Sequence, residues 1–380
     1  MQFGFQDDTP AGSPGSDPVT GRRRVAMGDP QAPFERVQAV LARHQLLDRH
    51  GRLLPDVELT SMGDHFDWGG PHERERAAAD GLALLTWLAS HPAEQVHLVL
   101  GNHDLARVGE LAGFDDTSFE AALGDALPAY AATRAGDPDA DRLFRSRWPQ
   151  VPSAEYLARD FVTFRVEQRL RVEDLLRSRR FRVAFAPAHD LLLLHAGVTL
   201  DDLAGLGLEP TEQRDAVRVA EALNAALDKA ILAWTGGPLE LGALHRPGSA
   251  ERGAGGGIFC HRPALPELGC PEAFVGAGRR RFDPRRLPSG LTQAIGHIQD
   301  AKCRSLLDGW CDGAPAGDGP LRCLRVEGGR GWYRAGVAVL DGAGAARVVF
   351  TDGAMAKAPV DAFQLLDVDR IAALAIPDTG

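Results

Sequence analysis

Short apolar runs that each end in a metal-ligand type of residue, with glycine beside it, constrain this chain more than any other feature. Val25-Ala26-Met27 runs into Gly28-Asp29, residues 57–62 into Gly63-Asp64, and residues 96–100 into Gly101-Asn102. Further on, Leu191-Leu192-Leu193-Leu194 ends in His195-Ala196-Gly197, and residues 292–295 end in Gly296-His297. Helical stretches predicted over 34–49 and 73–90 separate the first three runs. Strand, loop and helix in repetition is the rhythm of a mostly parallel sheet with helices on its faces. In such sheets ligands bind beyond the carboxyl ends of the strands. Convergence there would gather two carboxylates, an amide oxygen and two imidazoles. Oxygen and imidazole donors without thiolate suit Mn²⁺, Fe or Zn²⁺. A carboxylate shared between two ions allows a pair roughly 3.5–4 Å apart, suited to in-line attack on phosphorus.

The rhythm breaks between residues 105 and 182. Leu157, Phe161 and Phe164 lie at i, i+4 and i+7, which predicts a helical insertion. After it, Leu223, Leu227 and Ile231 step by four, and Gly236-Gly237-Pro238 stops that helix. Residues 242–290 are rich in Gly, Pro and Arg, and a loop of that length in a compact domain is usually functional. Residues 321–326, 337–340 and 348–350 read as antiparallel strands joined by glycine turns. Residues 1–24 read as a flexible arm, 25–352 as the main domain and 353–380 as a segment packed on it.

Composition narrows the class. At 380 residues, 44% hydrophobic and 25% charged, the chain has globular make-up and room for a sizeable core. Its 42 basic and 52 acidic residues give a net charge of −10, which argues against nucleic acid or an acidic membrane as the main partner. No apolar run approaches the ~20 residues of a membrane span. The N-terminus has acids and prolines where a signal peptide carries basic and apolar residues. Five cysteines, an odd number without a CxxC pair, read as reduced thiols in the cytoplasm. The expectation is a soluble cytoplasmic protein.

The segments GDPQ (28–31), GDHFDWG (63–69), GNHD (101–104), HAG (195–197) and GH (296–297), in that order, resemble the five signatures of calcineurin-like metallophosphoesterases. HAG and the insertion after GNHD are most similar to the branch holding phosphoprotein phosphatases and symmetrical dinucleoside tetraphosphatases. The resemblance spans roughly residues 25–300. It implies an α/β fold, a two-sheet αββα sandwich with a helical insertion, carrying two divalent metal ions at its edge, Mn²⁺ foremost and Fe, Zn, Co or Ni as alternatives. By that likeness Asp29 and Gln31 bind the first ion, Asp64 bridges both, and Asn102, His195 and His297 complete the second. A metal-bridged hydroxide would then attack phosphorus, with His103 as general acid and Asp67 orienting it.

Departures from the pattern matter. Gln31 stands where the family usually has His, and Gln299 where many relatives carry a second His, which makes the first position oxygen-rich and suited to a harder ion. Trp68 replaces the arginine with which protein phosphatases grip phosphate, leaving a role in stacking on a substrate ring or in packing. GIFCHRP (257–263) is similar to the Gly-x-x-x-x-Arg segment of bacterial members, which makes Arg262 the candidate phosphate clamp and His245-Arg246 the second choice. His65 and His261 match no family position and are expected at the surface or behind the ligands. Arg279-Arg280-Arg281, with Arg285 and Arg286, reads as a solvated charge run. The cysteines read as inert, with no base nearby. The function so implied is hydrolysis of a phosphate ester or anhydride in a small phosphorylated metabolite or dinucleoside polyphosphate. The alternatives are a protein Ser/Thr phosphatase and a catalytically silent metal-binding scaffold.

Overall fold

Alternation of side chains along the strands builds two sheets back to back in the computed structural model, which describes residues 21–269, 271–276, 278–337 and 344–375. In the first sheet β1 (Arg23–Met27), β2 (Val57–Ser61), β3 (Val96–Val99) and β4 (Phe181–Arg182) run parallel. Helices α1 (Phe34–Arg43) and α2 (Arg74–Ala89) join β1 to β2 and β2 to β3. Between β3 and β4 lie α3 (Asn102–Val108), α4 (Asp116–Arg134), α5 (Ala140–Arg147), a π turn at Tyr156–Asp160 and α6 (Val166–Arg177).

The second sheet opens with β5 (Ala184–Ala188) antiparallel to β6 (Leu191–Leu194). There follow α7 (Leu200–Gly205), α8 (Ala216–Ala233) and two short ladders, β7 (His245–Arg246) with β8 (Gly256–Gly257) and β9 (Arg262–Pro263) with β10 (Arg281–Phe282). Then come β11 (Thr292–Ile295), α9 (Asp300–Leu307), β12 (Arg322–Glu327), β13 (Arg330–Ala335) and β14 (Ala346–Phe350). Strands β6, β11 and β14 are parallel neighbours, and β12 and β13 continue the sheet antiparallel. Finally β15 (Leu366–Asp367) adds antiparallel to β1, and α10 (Val368–Ala375) follows it.

Ala26, Val99, Leu191, Leu193, Ala294 and Val349 form the apolar layer between the sheets. Their neighbours one residue away, such as Val25, Met27, Leu192 and Leu194, belong to the larger core shared with the helices. This period of two is what a sheet covered on both faces requires. The expected αββα sandwich is the fold. No helix among the described residues is long and apolar enough to cross a membrane.

Several sequence expectations are corrected. The first helix ends at Arg43, not 49, because Gln45 turns left-handed (φ 59°). Leu157, Phe161 and Phe164 do not share a helix; only the π turn is helical there, though all three are buried in a separate small core with Phe114, Phe119 and Phe144. The insertion gives way to a strand at Phe181, and β5 precedes the run at Leu191. Residues 242–290 are not bare loop but carry the two ladders. Arg23 and Arg24, placed in the flexible arm, belong to β1, while residues 1–20 lie outside the described residues. Strand β13 at Arg330–Ala335 is not among the expected strands, and residues 338–340 of the strand expected at 337–340 lie outside the described residues.

The parallel strands of both sheets deliver their carboxyl ends to one edge of the sandwich. There Gly28 passes so close to β14 that an added Cβ would lie 1.9 Å from the Thr351 carbonyl oxygen. Gly28→Ala is therefore expected to destabilise the fold by roughly 1–3 kcal/mol, the usual cost of overpacking. The control Gly70→Ala, with nothing within 4 Å of the new carbon, should be near neutral. Urea denaturation of the two variants checks this.

Candidate metal centre

The loops at this edge are held in unusual backbone conformations. Asp64 (φ 57°), Asp67 (φ 68°) and His297 (φ 65°) are left-handed, a region that few residues other than glycine occupy and that clusters at functional sites. Buried Asp104 fixes two of these loops. Its carboxylate accepts backbone N–H bonds from Gly101 (2.9 Å), Asp64 (3.1 Å) and His65 (3.1 Å). His65 reaches Asp104 through Nδ1 (3.0 Å) and Ser61 Oγ through Nε2 (2.9 Å). Burial opposes ionisation of Asp104, yet His65 and the N–H donors hold its carboxyl below the usual range. His65 is thus a buried clamp on the loops after β2 and β3, not a surface residue.

The two imidazoles expected as ligands each spend one nitrogen on a backbone carbonyl. His195 Nδ1 donates to Met62 O (2.9 Å), and His297 Nε2 donates to Cys260 O (3.0 Å). Such bonds fix the tautomer of metal-binding histidines and leave the other nitrogen as a lone pair. Burial, then the charge of Arg262, pushes His297 well below its ordinary pKa and keeps it neutral. The free Nε2 of His195 faces Asn102 Oδ1 at 3.0 Å and Asp64 Oδ1 at 3.5 Å. In that tautomer all three are acceptors with no proton between them. Asp64, His195 and His297 present ligand atoms within 4.8 Å of one another, a buried cluster able to hold a metal ion. The donor set therefore fits a divalent cation.

Asp29 lies beside this cluster. Its Oδ2 accepts the His297 N–H (2.9 Å), while its Oδ1 is buried without any hydrogen-bond partner among the described residues. Burial, followed by the carboxylates of Asp352 and Asp64, raises the Asp29 pKa well above its ordinary value. Gln31 donates its amide nitrogen to Phe66 O (3.0 Å), which leaves its oxygen on the other side of the amide. Asp29, Gln31, Asp64, Asn102, His103, Arg262, His297, Gln299 and Asp352 line one cavity of about 220 Å³.

His103 closes the cavity on the side of the insertion. Its Nδ1 bonds Asp67 Oδ2 (2.8 Å), and its ring packs 4.7 Å from Phe161. Asp67 is in turn gripped by Arg107 through two bonds (2.7 and 3.0 Å) and by the Thr163 hydroxyl. Burial works against ionisation of Asp67, but Arg107 and His103 hold its carboxyl below the usual range. Burial likewise opposes charging His103, yet Asp64 and Asp67 outweigh it and lift its pKa to about 9. Arg107 is fully buried and was not singled out in the sequence. Its signal was its place four residues after His103, on the same face of α3.

Arg262 enters the cavity from β9, its backbone N–H bonded to Arg280 O (3.0 Å). His261 anchors that strand by donating Nε2–H to Gly197 O (2.8 Å), and is buried, not exposed. A cleft of about 900 Å³ opens beyond His103 and Arg262, with Arg280, Arg281, Lys302, Tyr156 and Phe161 in its walls. The arginine run is divided: Arg279 pairs with Asp202, whereas Arg280 and Arg281 face the cleft. His245 lines the same cleft, outside the smaller cavity. Trp68 is buried beneath Arg76, a packing position. Cys260 and Cys303 are buried, which pushes both thiols up to about 12; Cys270 lies outside the described residues.

No family model and no curated protein matches the chain. Among solved structures, a cold-active protein tyrosine phosphatase aligns with a TM-score of 0.28 and 17% identity, over 58% of this chain and 55% of the other. A second structure, of a cold-active protein-tyrosine phosphatase from a psychrophilic Shewanella species, gives 0.28 and 17%, over 58% and 56%. The chain spans about half the length of these neighbours.

The His103–Asp67 contact has a measurable consequence in the metal-free protein. A folded pKa of about 9 against 6.5 for the free residue means that protonation stabilises the fold fully below pH ~6.5 and that this contribution is lost as pH rises through the folded value. Ring-proton NMR should place the His103 midpoint near that value and find it lower in Asp67→Asn. An unchanged midpoint in the variant would contradict the pairing.

Proposed function

We propose that this chain is a metal-dependent hydrolase of phosphate esters or anhydrides, of calcineurin-like type, acting on a small phosphorylated metabolite or dinucleoside polyphosphate. The observation that carries the reading is the pair of histidines, each tied by one nitrogen to a carbonyl, whose other nitrogens meet Asp64 and Asn102 beside an unpartnered Asp29 oxygen. Asp29, Gln31 and Asp64 would hold a first divalent ion, and Asp64, Asn102, His195 and His297 a second. When bound, such ions supply Lewis acidity toward phosphoryl oxygens and the activation of water at neutral pH.

The chain's own groups do the rest. Arg262 makes no ion pair or side-chain hydrogen bond among the described residues, so its guanidinium is available to the non-bridging phosphoryl oxygens. His103 gives its Nε2 proton to the leaving oxygen as the P–O bond breaks, while Asp67 and Arg107 keep the ring in place. Water supplies the new P–O bond, and its protons end on product phosphate and His103. The cleft with Arg280, Arg281 and Lys302 takes the remainder of the substrate.

A phosphate-release screen across monoesters, diesters, dinucleoside polyphosphates and phosphopeptides with Mn²⁺ tests this reading. Small esters or dinucleotides are expected to lead. Phosphopeptides cleaved at comparable rates would favour a protein phosphatase, and two bound ions with no release from any substrate would leave a binding scaffold. In an active enzyme, His103→Asn should lower kcat by roughly 10²–10⁴-fold, the usual worth of a general acid, with little change in KM. A kcat held near the wild-type value would remove His103 from that role.

A further inference from the structure

Five strand ends carry candidate ligands beside a glycine in the sequence, but the sandwich has a sixth. Strand β14 runs parallel to β11 and ends in Thr351-Asp352. Asp352 is 6% exposed and lines the cavity that holds Asp29, Gln31, Asp64 and Gln299. A tight turn aims it there: its Oδ1 accepts the backbone N–H of Ala354 (2.9 Å), itself left-handed at φ 54°. Its Oδ2 takes part in no hydrogen bond among the described residues.

Arg322 is the obvious structural partner, and its charge acts on this carboxylate, yet among the described residues it makes no hydrogen bond or ion pair with it. Its Nη2 donates to the backbone carbonyls of Ile298 (3.1 Å) and Asp352, while Nε and Nη1 have no partner. Across the cavity Asp29 is 3% exposed with an orphaned Oδ1. Buried carboxylates that lack partners are costly unless they hold a cation. Asp29 and Asp352 face the cavity from outside the Asp64, His195 and His297 triad, on the side where Gln31 stands instead of an imidazole.

We propose that Asp352 is a ligand of the first divalent cation, completing an all-oxygen position with Asp29, Gln31 and Asp64 in place of the imidazole that position 31 lacks. The inference rests on the two-ion reading above. Four oxygen donors, three of them carboxylates, select a hard ion, Mn²⁺ or Mg²⁺, over Zn²⁺.

Calorimetric Mn²⁺ titration of wild type, Asp352→Asn, Gln31→His and the double variant Asp352→Asn/Gln31→His tests it, with circular dichroism of the metal-free proteins reporting the fold. Wild type should show two binding events. Asp352→Asn should weaken one by at least the ~10-fold that loss of even an outer partner costs a metal site, with the other unchanged. Because Gln31→His adds an imidazole whatever Asp352 does, the single variant Gln31→His is the reference for the double variant, which should bind Mn²⁺ at the first position at least ~10-fold more weakly than that reference does. Should Asp352→Asn fold poorly, that comparison decides alone. Two events unchanged in Asp352→Asn, or equal Mn²⁺ affinities in Gln31→His and the double variant, would overturn the assignment while leaving the centre intact. Fewer than two events in wild type would instead overturn the two-ion reading.

Discussion

Buried acceptors brought face to face with no proton between them are the constraint on which this structure turns. Asp29, Asp64, Asn102, His195, His297 and Asp352 all stand at the carboxyl ends of parallel strands. Asp29, Asp64 and Asp352 each accept a backbone N–H but form no ion pair with an arginine or lysine among the described residues. Gathering them in a dry site costs several kcal/mol per charge, so the surrounding fold must hold them there. The layer between the sheets, the left-handed loop residues and the Asp104–His65–Ser61 chain do so. Conformational strain of this kind persists where the scaffold over-determines it, and here it is concentrated at one edge.

That edge was legible in the sequence because central parallel strands are covered on both faces and read as unbroken apolar runs. Leu191–Leu194 is buried at every residue, and the candidate ligand that follows each such run stands out. Asp352 escaped because residues 348–350 read as one more antiparallel strand, and Thr351, not glycine, precedes the acid. Arg107 escaped because an arginine four residues from a histidine is unremarkable until Asp67 is seen between them. The two-residue β4 is too short for periodicity to register, and β5 carries Pro187 and lies half-exposed. Leu157, Phe161 and Phe164 are buried in the insertion's own core, but their helical spacing did not imply a helix.

The parts that differ most from a plain sandwich surround the cleft. The insertion has its own apolar core and contributes Tyr156 and Phe161, while residues 242–290 contribute Arg262, Arg280 and Arg281. Glu110 of the insertion accepts the Gly248 N–H (2.8 Å), joining the two segments behind the cleft. In a chain of net charge −10, basic side chains gathered on the walls of one cleft make a local attraction for anions. Both segments are also tied to the strand-end edge, through Phe161 against His103, the Thr163 hydroxyl on Asp67 and the Cys260 carbonyl on His297.

Anomalous diffraction from crystals grown with Mn²⁺ would locate the ions themselves. Two peaks sharing Asp64 are expected, one also bounded by Asn102, His195 and His297 and the other by Asp29, Gln31 and Asp352. Peaks elsewhere on the molecule, with those side chains ligating nothing, would rule out the two-ion centre.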